Sequence, residues 1–263
     1  MRTQTLLLPL LSLVPDALAW GALGHRTVAV VAQNYLSSAT KTWVTNILGD
    51  TLVNVATWAD DYRYTTAGAF SASYHYIDAQ DNPPTSCSTS RVQSTSLSTS
   101  ERAIGLKFIV HLLGDITQPL HDENKATGGN GISVLWNGAT TNLHSVWDSS
   151  IAEKYVGGNT VAYATTWGNQ IITKLATGGA YASSKASWLS CVNPSTAQTC
   201  ALAWATDGNA LVCSYVLKTD PTGQELSGTY YTGAYPLVEQ QIAKGGIRLA
   251  AYLNTIVTGS SGF

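Results

Sequence analysis

Charge is scarce in this sequence: 11% of its 263 residues are Asp, Glu, Lys or Arg, and the formal net charge is -2. No basic block stands out. That excludes a protein which holds nucleic acid mainly by neutralising many phosphates, so any such ligand must sit in a local pocket. After the first residues no apolar run reaches the ~20 positions that a membrane-spanning helix needs. No Cys-x-x-Cys pair is present, so a thiolate zinc site is not expected. There is no Asn-x-Ser/Thr sequon and hence no expected N-glycosylation. The Gly-x-Ser-x-Gly elbow and the P-loop are both missing, which leaves a serine nucleophile or a nucleotide triphosphatase without support. Linkers, charge blocks and internal repeats are lacking too, and one domain is expected.

What is present begins at Met1-Arg2, followed by an apolar run from Leu6 to Val14 and by Ala17-Leu18-Ala19 before Trp20. A basic start, a short apolar segment and an A-x-A end describe a secretory leader. Residues 1–19 are read as that leader and 20–263 as a single mature domain beginning at Trp20. Behind such a leader the four cysteines Cys87, Cys191, Cys200 and Cys213 read as two disulfides.

Apolar spacing predicts helices over 24–36 and 38–48, the second ended by Gly49, and a third from Asp50 to Trp58. Residues 68–84 read as a loop with a short extended piece at 74–78, and 85–99 as a serine-rich surface loop. Ser100 is placed to cap a helix starting near Glu101. A short strand is expected at 132–135, a helix opening at Asn142, and further helices at 161–177, 183–190, 196–217 and 236–257. The fold class is mainly α, a helical bundle with long loops and little β.

The central stretch is 107–124. His111 and Asp115 stand four residues apart and share one helix face. Pro119 ends the helix and lets the chain turn before His121. His144 and Asp148 repeat the spacing. The remaining histidines are His25, five residues after Trp20, and His75, three before Asp78. One such histidine is ordinarily a hydrogen-bonded core residue. Five of them, each near a carboxylate or in a tight polar motif, with Asp60 in Trp58-Ala59-Asp60, point to divalent metal. Imidazole with carboxylate suits zinc, and the lack of thiolates suits a hydrolytic site with open positions.

Six motifs stand in order: Trp20-Gly21-Ala22-Leu23-Gly24-His25, Trp58-Ala59-Asp60, His75-Tyr76-Ile77-Asp78-Ala79, His111-x-x-Gly114-Asp115-x-x-Gln118-Pro119-Leu120-His121, Gly128-Gly129-Asn130 and Asn142-Leu143-His144-x-x-Trp147-Asp148. Together they resemble the fungal and plant single-strand-specific zinc nucleases of S1/P1 type, whose architecture is related to bacterial zinc phospholipase C. The resemblance implies a mainly helical fold of that type holding three zinc ions. One would be held by Asp60, His75, His111 and Asp115. A second would take the amine and carbonyl of Trp20 with His25 and a bridging Asp115. The third would take His121, His144 and Asp148. Removal of the leader then becomes a chemical requirement, because an amide nitrogen at Trp20 cannot ligate as an amine does.

The resemblance further implies that Arg63 stabilises the transition state, that Tyr76 stacks on a nucleobase, that Asp78 bonds the base, and that Asn130 lies near the scissile phosphate. Thr127 stands where the family has a more apolar wall. Cys87 and Cys213 match the family's long-range disulfide. Cys191 and Cys200 would then form a local bridge that differs from the family's usual short-range pair. The implied activity is a secreted, monomeric endonuclease and 3′-nucleotidase acting on single-stranded DNA, RNA and 3′-nucleotides, with no membrane partner. A hydroxide bridging the metals would be the nucleophile, and products would carry 5′-phosphates. A zinc phospholipase C acting on lipid head groups is the alternative; a binding protein that has merely kept its metals is a third reading.

Overall fold

The computed structural model describes residues 20–87 and 102–263. The expected leader (1–19), the Ser100 cap and Glu101 lie outside the described residues, as does most of the serine-rich segment. Helix α1 (Ala22–Tyr35) is buried along Leu23, Val28, Val31 and Ala32 because α8 (Val161–Leu175) and α11 (Thr229–Thr258) both pack on it. Two glycines permit that approach. A Cβ on Gly168 would come within 2.5 Å of Val30 Cγ1, and one on Gly246 within 2.5 Å of Val31 Cγ1. The core around these crossings includes Trp147, Trp167, Ile171, Ile242 and Leu249, all buried.

Helix α2 (Ser38–Leu48) starts where the Ser37 hydroxyl accepts the Thr40 N–H at 3.1 Å. It stops at Gly49, whose φ of 62° lets its N–H donate back to Thr45. The single helix expected from Asp50 to Trp58 is instead two short ones, α3 (Leu52–Val55) and α4 (Trp58–Tyr62). The break has a use: the Ala56 carbonyl accepts from His111 Nδ1 at 2.7 Å. A second revision concerns 69–75, a tight 3-10 helix ending at His75, so the extended piece starts only at Tyr76. Ile77 then donates to the His121 carbonyl and Ala79 to that of Asp122, which lays this segment beside the second histidine motif.

Helix α5 (Arg102–Asp115) delivers His111 and Asp115, and a 3-10 turn over Pro119–Asp122 delivers His121. Strands β1 (Ser133–Trp136) and β2 (Ala139–Asn142) pair antiparallel around Asn137-Gly138, both at positive φ. The Asn-Gly pair is a strong hairpin signal; the partner strand Ala-Thr-Thr-Asn has no apolar alternation to mark it. Helix α6 (Leu143–Ser145) runs through a wider π-type turn into α7 (Ile151–Val156), keeping His144 and Asp148 on one face. Helix α9 (Lys185–Trp188) is short, and α10 (Ala197–Leu211) leads into another π-type turn at Val212–Val216.

Helix α11 begins at Thr229 with Pro236 inside it, where the sequence suggested a start at the proline. Proline there removes one backbone hydrogen bond. Ring contacts brace the first turns instead: Tyr235 stacks on Tyr155 at 4.8 Å, and Trp147 Nε1 donates to Tyr230 at 2.9 Å. Disulfides join Cys87 to Cys213 and Cys191 to Cys200. Among the described residues no helix is long and apolar enough to cross a membrane.

The α1/α11 crossing yields a test. Gly246→Ala sets a methyl against Val31 and is expected to cost about 1–3 kcal/mol of unfolding free energy, as overpacking does. Denaturant unfolding measures it; an unchanged midpoint would show that the helices separate freely.

Candidate metal centre

The candidate ligands converge from separate elements: His25 from α1, Asp60 from α4, His75 from the end of its 3-10 helix, and His111 and Asp115 from α5. All are nearly inaccessible, from 0% for His111 to 7% for Asp60. Asp115 sits at the middle. Its Oδ1 lies 3.1 Å from His25 Nε2, and its Oδ2 lies 3.1 Å from His75 Nδ1 and 3.3 Å from His111 Nε2. Asp60 Oδ1 is 3.5 Å from His111 Nε2 and 3.9 Å from His75 Nδ1. His25 stacks on His111 with centroids 3.8 Å apart.

A second group forms around Asp148. His144 Nε2 lies 3.2 Å from Asp148 Oδ2 and 3.2 Å from His121 Nε2, and His121 Nε2 lies 3.6 Å from Asp148 Oδ1. Three sets can each offer a metal three ligand atoms: His25, Asp60 and His111; His75, His111 and Asp115; His121, His144 and Asp148. The edges of a tetrahedral zinc site with ~2.1 Å bonds are about 3.4 Å, which the distances above bracket.

Proton placement makes the fit chemical as well as geometric. His111 Nδ1 faces the Ala56 carbonyl, His121 Nδ1 that of His75 at 2.6 Å, and His144 Nδ1 that of Gly128 at 2.6 Å. A carbonyl only accepts, so each Nδ1 carries a proton and each Nε2 faces inward, offering a lone pair whenever the imidazole is neutral. Inside the site, the inward imidazole nitrogens face carboxylate oxygens at 3.1 to 3.9 Å. Both Asp115 oxygens and Asp60 Oδ1 are buried without a hydrogen bond among the described residues. Such groups call for a cation. Asp148 is steadied by Gln118, whose Nε2 donates to it at 2.7 Å.

The electrostatics agree. Burial disfavours a charged His111, but the flanking Asp115 and Asp60 outweigh it and push the imidazole up to about 10. Burial likewise opposes an ionised Asp115, and His111, His25 and His75 override that and hold it well below the usual carboxylate range. Asp122 and Glu123, which also follow His121 in the chain, behave otherwise. Burial, then Asp115, drives Asp122 well upward, and its Oδ2 faces Gly208 rather than the cluster. Burial and Asp81 raise Glu123 to about 7. Asp81 and Glu123 meet at Cys87, whose sulfur is committed to its disulfide.

Trp20 is fully buried, with its indole N–H donating to Thr117 Oγ1 at 3.0 Å, two residues beyond Asp115. The next residue, Gly21, donates its N–H to the Asp148 carbonyl at 2.8 Å. The chain at Trp20 is thus pinned between the Asp115 and Asp148 motifs. Arg63 ends α4, three residues after Asp60; its Nη2 donates to Tyr64 at 2.9 Å. Tyr76 is 47% exposed beside the buried His75. Asp78 has a φ of 54°, and burial raises its carboxyl. Asn130 Nδ2 donates to the Thr127 carbonyl at 2.8 Å. Sequence reasoning missed the orienting groups: three backbone carbonyls and Gln118. The carbonyls leave no trace in side-chain identity; Gln118 and Gly128 lay inside recognised motifs, and a Cβ at Gly128 would meet the Leu120 carbonyl at 2.7 Å and His144 Nδ1 at 3.3 Å. A cleft of about 500 Å³ bordered by Val30, Lys41, Leu52 and Asn169 shares no residue with the cluster.

A mainly helical fold around a buried, multi-histidine, multi-carboxylate cluster defines a metal-dependent hydrolase class. The family model of the S1/P1 nucleases matches residues 20–258, and the chain belongs to that family. It is 43% identical to nuclease S1 of Aspergillus oryzae, covering 95% of this chain and 96% of that one. To nuclease P1 of Penicillium citrinum it is 42% identical, over 90% and 97% of the two chains. To endonuclease 3 of Arabidopsis thaliana it is 31% identical, over 95% and 93%. These relatives favour the nuclease reading over the phospholipase one.

Metal loading should invert the pH dependence of stability. In chelator-stripped protein, protonated His111 stabilises the fold below its ordinary value of 6.5, and that contribution is lost as pH rises toward about 10. Metal binding needs neutral imidazole, so loaded protein should lose stability toward acid instead. Melting temperatures from pH 5 to 10, with and without chelator, check both slopes; parallel curves would contradict the assignment.

Proposed function

We propose that this chain is a secreted zinc-dependent endonuclease and 3′-nucleotidase that hydrolyses single-stranded DNA and RNA to 5′-phosphate products, working as a monomer after removal of residues 1–19. The observation that carries the reading is Asp115, buried with neither oxygen hydrogen-bonded and an imidazole nitrogen 3.1 Å from each. Three zinc ions suit the donors: Asp60, His75, His111 and Asp115 for one, Trp20, His25 and Asp115 for another, and His121, His144 and Asp148 for the third. When bound, such ions activate water and offset charge on the phosphoryl oxygens.

The chain's own groups supply the rest. Arg63 is a permanent cation three residues from Asp60, suited to the extra negative charge of the transition state. Tyr76, half out in solvent, offers a ring face to an unstacked base. A duplex keeps its bases stacked on one another, so such a contact favours single strands. Asp78 and Asn130 present polar groups for the base and the phosphate. Trp20 enters through its free amine, so a chain still carrying residues 1–19 would lack that ligand.

Three outcomes are expected. His111→Ala abolishes zinc-dependent cleavage of single-stranded DNA, and the wild type leaves 5′-phosphate ends and spares phosphatidylcholine; 3′-phosphate ends or an active variant would refute the proposal. Arg63→Ala lowers kcat by roughly 10²–10³-fold, the usual effect of deleting one transition-state donor, with KM little changed. Protein with extra residues ahead of Trp20 binds fewer zinc equivalents by elemental analysis than protein starting at Trp20.

A further inference from the structure

Beside the cluster lies an aromatic surface that the proposed chemistry does not use. Phe70 is 54% and Tyr74 41% exposed. They sit one turn apart with centroids at 5.8 Å, on the same 3-10 helix that ends at His75. Phe108 of α5 backs them, 6.4 Å from Phe70 and 6.1 Å from Tyr74. Trp58 and Tyr62 of α4 flank Phe108 at 5.5 and 6.0 Å. The ring contacts to Phe70 and Tyr74 are all edge-on among the described residues. A core would have buried these rings; here a buried phenylalanine holds two exposed ones in place.

The position and the charges indicate an occupant. Both ring-bearing elements also carry site residues: α4 has Asp60 and Arg63, and the 3-10 helix has His75, followed by Tyr76. The chain therefore runs from these rings directly to the base position proposed at Tyr76. Lys107 lies over Trp58 at 4.7 Å, and Arg63 stands at the α4 end, against one exposed acid on α4, Asp61. Rings interleaved with cations match a polymer that alternates bases with phosphates. A lipid surface would meet no such alternation.

Resting on the proposed nuclease reading, we infer that Phe70 and Tyr74, backed by Phe108, form a second stacking surface for bases of the same single strand, beyond the nucleotide at Tyr76. The enzyme thereby gains affinity for longer strands without a basic groove. The test is binding of fluorescent, cleavage-resistant phosphorothioate oligonucleotides, three and nine nucleotides long, to wild type, Phe70→Ala, Tyr74→Ala and the double variant. The double variant should bind the nonamer about tenfold or more weakly, as loss of base stacking does. Trimer affinity and 3′-nucleotide turnover should stay unchanged, and Phe70→Trp should bind the nonamer at least as tightly as wild type. Nonamer binding unchanged in the variants, or equal losses for trimer and nonamer, overturns the inference alone. A wild type that binds neither strand sinks the nuclease reading along with it. Loss of adsorption to phosphatidylcholine vesicles, or of self-association, with nonamer binding intact would give the surface another role and also overturn the inference.

Discussion

Everything in this structure answers to one constraint: five buried histidines and three buried carboxylates are gathered with their nitrogen and oxygen atoms facing one another at close range. Asp115, with both oxygens unbonded and three imidazoles within 3.3 Å, is the extreme case. In a low-dielectric interior such an arrangement repels itself unless a cation fills it. Without metal the strain leaks into protonation, which is why His111 is driven up to about 10. The fold therefore has to hold the donors together against their own repulsion. That task explains the helices packed hard around α1, through Gly168 and Gly246, and the pinning of the chain at Trp20.

Irregular backbone does the fine positioning. Each orienting carbonyl comes from a place where regular structure stops: Ala56 at the break between α3 and α4, His75 at the end of its 3-10 helix, Gly128 in a turn at φ 60°. A carbonyl inside a helix is already spent on its own ladder. Only an interruption frees one to orient a histidine ring, so breaks that look like defects of helix formation set how the cluster's imidazoles face one another.

The same point separates what was legible in the sequence from what was not. The residues of the cluster were legible because i,i+4 pairs such as His111 with Asp115 are local, and Pro119 announces the turn that redirects His121. Helices with a long apolar stripe and a clear stop, such as α2 ending at Gly49, were legible too. The split of 50–62 into two helices was not, since the pattern of side chains is helical throughout and the break serves His111, fifty-five residues away. The early start of α11 was hidden similarly: Pro236 is a local stop signal, and the rings of Trp147, Tyr155 and Tyr215 that override it come from elsewhere. Strand β2 lacks alternation, and only Asn137-Gly138 marks it.

Low charge closes the argument. A chain of net charge -2 has little long-range attraction for a polyanion, and salt would screen what there is. Recognition must come at short range, from cations held where phosphate charge concentrates and from rings that take unstacked bases. Arg63 over Tyr64, Lys107 over Trp58 and the paired rings of Phe70 and Tyr74 offer both kinds of contact. On the proposed reading, selectivity for single strands follows from the same scarcity of charge: a basic groove binds any phosphate chain, duplex included, whereas a stacking surface can only be filled by a base that has left its partner.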